Sequence, residues 1–89
     1  MQVFHVRFER GDNEPVSEEE AALVHDLLWA HAVPSDGLEH IRARSVEGGL
    51  DLFLFVRADG APYGLRHMHV LLARAEEPLA AYGFAVPAA

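Results

Sequence analysis

The residues of this chain best suited to chemistry are histidines, arginines and phenylalanines set two positions apart. HVR at 5–7, HIRAR at 40–44 and FLF at 53–55 hold His5, Arg7, His40, Arg42, Arg44, Phe53 and Phe55. Residues two apart share one face of a β-strand. If the three stretches are neighbouring strands, these seven side chains form one surface. Guanidinium groups there could bind an anion, imidazoles could transfer a proton, and phenyl rings could bury apolar surface. The same types also make protein interfaces, with aromatic centres and arginine rims.

Other chemistries lack their parts. The chain has no cysteine, which removes disulfides, thiol nucleophiles and thiolate metal sites. Among its six histidines, His67 and His69 diverge by roughly 200° on a helix and share a face only on a strand. His25 and His31 lack the i, i+4 spacing of a helical ligand pair. His5 and His40 fall on strands that a third strand separates. No metal site and no cofactor are expected. No activated nucleophile, placed carboxylate pair or glycine-rich phosphate loop marks a catalytic centre.

Phe53 and Phe55 resemble the base-stacking aromatics of RNA-recognition sheets. The resemblance stops there, because Asp51 precedes the pair, Leu54 divides it, and the surrounding basic and glycine residues are missing. Seven arginines and no lysine stand against fourteen acids, a formal charge of −7. That balance repels a phosphate backbone and disfavours nucleic acid as a partner.

Strand and helix patterns alternate along the chain. Residues 2–9 (QVFHVRFE) put Phe4, Val6 and Phe8 opposite Val3, His5, Arg7 and Glu9, as in a half-buried strand. Gly11 to Pro15 reads as a loop. Ser17 with Glu20 forms a capping-box pattern, and Glu18, Glu19 and Glu20 favour a helix N-terminus. That helix carries the stripe Ala21, Val24, Leu28, with Leu27 and Ala30 beside it, and runs to about Ala32 before Pro34. Trp29 reads as a residue at the edge of the stripe. After a turn at Ser35–Gly37, residues 38–47 alternate again, and Gly48–Gly49 predict a two-residue hairpin turn into the next strand. In that strand Leu50, Leu52, Leu54 and Val56 oppose Phe53 and Phe55.

A loop is expected from Asp59 to Gly64 and a helix over 65–77, with Leu65, Met68, Leu72 and Ala75 at helical spacing. A strand is the competing reading of that stretch. Pro78 is expected to disrupt the helix, and residues 83–86 could form a last short strand. The order strand, helix, strand, strand, helix, strand is the ferredoxin-like split βαβ (βαββαβ) arrangement. It is a four-stranded antiparallel sheet in order 4-1-3-2 with two helices on one face.

Residues 1–89 thus read as a single α+β domain, with 51% hydrophobic and 24% charged residues. No window approaches the ~18 apolar residues of a membrane span, and no signal-peptide pattern opens the chain. The expectation is a small cytoplasmic protein of bacterial type that does not contact a membrane. With helices on one face, Phe53 and Phe55 lie on the other, where covering them would bury on the order of 300–500 Å². The sequence therefore points to a non-catalytic accessory or protein-interaction domain, a homodimer through the open sheet face or one bound there to another protein. The competing reading is a small-molecule-binding or cofactor-independent enzyme module using the histidines and arginines of the same face.

Overall fold

The structure, a computed structural model, describes residues 1–11, 14–57 and 61–87, with side chains in the second helix described from 64 onward. Its elements are β1 (Gln2–Arg10), α1 (Glu18–His31), a 3-10 turn (Pro34–Asp36), β2 (Leu38–Val46), β3 (Gly49–Val56), α2 (Ala61–Ala81) and β4 (Phe84–Ala85). The four strands form one antiparallel sheet in the order β2-β3-β1-β4. The fold is therefore α+β, an antiparallel sheet with two helices. No helix of the described residues is long and apolar enough to cross a membrane.

Alternation along the two central strands builds the core. Phe8, Leu50, Leu52 and Leu54 are fully buried, with Val6 and Val56 nearly so. They meet Val24 and Leu28 of α1 and Met68, Leu72, Ala75 and Leu79 of α2 in a single cluster, which Phe84 of β4 joins. Burying a large apolar side chain contributes about 1.5–3 kcal/mol, so this cluster is the main source of stability in so short a chain.

Helix α1 starts as its sequence dictates. Ser17 accepts from the Glu20 N–H at 3.1 Å, and the Ser17 N–H donates to Glu20 Oε1 at 3.2 Å. This capping box satisfies two of the amides that a helix start leaves without partners. Ala30, expected beside the buried stripe, is exposed. Trp29 is exposed as well.

Three expectations need correction. The hairpin turn is Glu47–Gly48, not Gly48–Gly49, because Val46 pairs with Gly49 and Gly49 begins β3. Gly48 takes the turn's left-handed backbone, at φ +77°. Gly49 is needed for another reason: a Cβ there would lie 2.2 Å from the Phe8 carbonyl oxygen. The stretch around 65–77 is a helix, but it begins at Ala61, so 61–64 are not loop. Pro62 falls in the first turn, where its missing N–H removes no intrahelical bond. Pro78 does not end the helix, which continues to Ala81. An interior proline costs about 3 kcal/mol, but full burial of Leu79 in the last turn holds that turn against the sheet. The chain leaves α2 through Gly83, at φ +86°. Asp12, Asn13, Asp59 and Gly60, and the side chain of Tyr63, which the sequence assigned to loops, lie outside the described residues.

Candidate functional site

Strand register decides which of the seven candidate side chains meet. Phe53 lies between His5 on β1 and Arg42 on β2, and Phe55 lies between Val3 and His40. Asp51 lies between Arg7 and Arg44. All seven candidates therefore occupy three successive rows on the face opposite the buried Val6, Leu52 and Leu54. β3 separates His5 from His40, as expected.

The rings on this face contact one another across strands. His5 stacks on Phe53 with centroids 4.8 Å apart and planes 22° from parallel. His40 tilts against Phe55 at 5.3 Å and 52°. These neighbours leave both phenylalanines half-buried rather than exposed. Less apolar surface therefore remains to be covered than the sequence alone suggests. Val3, next to Phe55, extends the apolar strip and is 54% exposed. A shallow depression of about 410 Å³ opens between β2 and β3, lined by Arg42, Ala43, Arg44, Phe53 and Phe55.

The charges on the face follow the rows. Arg7 donates to the Glu47 backbone oxygen in the β2–β3 turn. Asp51 Oδ1 lies 3.0 Å from His5 Nε2, with the aspartate side chain largely buried and the histidine half-exposed. Sequence reasoning left Asp51 out of the candidate site. The signal for it was the alternation that puts Asp51 and Phe53 on one face, one diagonal step from His5. The His5–Asp51 contact sets an imidazole beside a carboxylate on this face.

The remaining histidines do not join this surface. His67 and His69 sit on α2 and point in different directions around it. His25 Nδ1 lies 3.0 Å from Asp26 Oδ1, its sequence neighbour on α1. Among the described residues no group of three or more metal-binding side chains converges. Comparison with protein-family models, with curated proteins and with solved structures finds no match to this chain.

Proposed function

We propose that this chain is a small non-catalytic interaction domain that self-associates through the open face of its sheet. The observation that carries the reading is the Phe53–Phe55 pair at the centre of that face, half-buried, extended by Val3 and bordered by Arg42 and Arg44. Interfaces combine such aromatic centres with arginine rims. A short domain with a modest core also gains stability by association.

We place the fold with the ferredoxin-like split βαβ arrangement. The order β2-β3-β1-β4 supports this, since from the other edge it runs 4-1-3-2, and so does the joining of both helices to one core. The superfold hosts many unrelated activities and carries no function of its own.

The test is solution mass over a concentration series for the parent, Phe53→Asp and Arg42→Glu. Self-association predicts a parent dimer that both substitutions weaken, with circular dichroism unchanged. A second reading, a small acidic ligand held over the sheet, draws on the depression beside Arg42 and Arg44 and on the His5–Asp51 pair. A parent that stays monomeric at every concentration would contradict the dimer and favour that second reading.

A further inference from the structure

Strand β2 is the long edge of the sheet, nine residues paired to β3 on one side. Val46 and Gly49 flank a two-residue turn and so form a hydrogen-bonded pair; counting back by twos, Arg44 and Arg42 also bond to β3. Ile41 and Ala43 therefore turn their N–H and C=O groups outward. Among the described residues no hydrogen bond reaches them there. The neighbours of residues 12–13, 58–60 and 88–89 lie off this stretch. Gly11 donates to Gly83 beside β4, Pro15 and Val16 border residues 45–48, Arg57 donates to Gly37 ahead of β2, and Pro87 lies with His5, Arg7 and Met68.

The two sides of this edge differ in chemistry. On the open face Arg42 and Arg44 line the depression of about 410 Å³, and among the described residues neither has a carboxylate partner. Asp51, opposite Arg44, lies against His5 of β1, and Glu39, the one carboxylate of β2, sits in the bulge before His40. Guanidinium groups keep their charge throughout the working pH range. On the other side α1 packs against both β2 and α2. Its Glu20 pairs with Arg10 of β1, and Trp29, nine residues on, lies roughly 180° around the helix. Trp29 therefore projects on the β2 flank, where it is 37% exposed. We propose that the β2 edge captures an extended acidic segment of a partner protein as a fifth strand. Main-chain bonds to Ile41 and Ala43 would supply affinity, as in strand addition generally. Alternate side chains of the segment then face opposite ways: acidic ones toward Arg42 and Arg44, apolar ones toward Trp29. A second copy of β2 suits the edge poorly, because pairing about Arg42 or Ala43 sets arginine opposite arginine.

The test titrates the intact chain with a fluorescein-labelled peptide of alternating glutamate and valine, read by anisotropy and by the emission of Trp29, the one tryptophan of the chain. Its controls are a lysine–valine counterpart and the same peptide methylated at its valine nitrogens, which would face Ile41 and Ala43. The proposal predicts saturable binding that each control weakens by at least about tenfold, with slowed hydrogen exchange at the Ile41 and Ala43 amides. Arg42→Gln combined with Arg44→Gln should weaken it as much. Val3→Asp lies on the open face but on β1, so it should break open-face association and leave peptide binding intact. Failure of the open-face reading and failure of this one are thus separable. Absence of saturable binding, or equal binding of the methylated peptide, overturns the proposal. Protection of the Ile41 and Ala43 amides by raised protein concentration alone also overturns it, since a second copy would then hold the edge.

Discussion

Single side chains tie the layers of this fold together at its ends. Arg10, at the end of β1, pairs with Glu20 in the first turn of α1 and lies 5.4 Å from the Phe84 ring centre. The Arg10 guanidinium, followed by the Ser17 N–H, lowers the Glu20 carboxyl from 4.5 to about 2. A carboxyl depressed in the folded state stabilises the fold above its unfolded pKa and loses that effect as pH falls through the folded value. The Glu20 contribution is therefore full above about pH 4.5 and gone near pH 2. Glu20→Gln should flatten that part of the stability–pH curve, and a curve identical to the parent's would contradict the assignment. At the opposite end Asp36, 4% exposed, accepts from the Val33 N–H at 2.8 Å and from Arg74 at 3.0 Å, while Arg74 also donates to the His31 carbonyl oxygen. Asp36→Ala removes the charged acceptor of both bonds and should cost about 1–3 kcal/mol in urea unfolding. A loss within ~0.5 kcal/mol, the usual surface effect, would mean that water satisfies the site.

Among the elements, the β2–β3 hairpin shows what pattern reading reaches and what it misses. Alternation gave both strands and their faces, because side-chain direction in a strand depends only on position. It did not tell Gly48 from Gly49, because both glycines suit a turn and the close approach of Gly49 to Phe8 exists only once β1 pairs with β3. The difference is measurable. A Cβ at Gly48 would meet only the Arg7 guanidinium, at 3.8 Å, so Gly48→Ala is strained by the positive φ alone and should cost about 1–2 kcal/mol. Gly49→Ala drives a methyl group into backbone and should cost clearly more or abolish folding; equal losses would contradict the register. The same limit explains Pro78, read locally as a helix end although packing of Leu79, which no local pattern contains, carries the helix past it. At the site, period-two spacing brought seven candidates onto one face. It did not reveal how far the His5 and His40 rings shelter Phe53 and Phe55, because ring-to-ring contact depends on register between strands.

For the whole molecule, residues of both helices join the buried side of a thin sheet in one core, and an aromatic and arginine strip lies on the alternate side chains of the same strands. The His5–Phe53 and His40–Phe55 contacts reduce the apolar area left there without removing it, and Val3 extends it toward the start of β1. Self-association is the reading that uses the entire face rather than one depression in it. The most direct measurement is sedimentation equilibrium of the parent and Phe53→Asp over a wide concentration range at neutral pH. The account predicts a parent mass rising to twice the 9.8 kDa chain and a folded Phe53→Asp variant that stays at one chain. A parent that remains at one chain throughout, or a Phe53→Asp variant that dimerises as well as the parent, would contradict it.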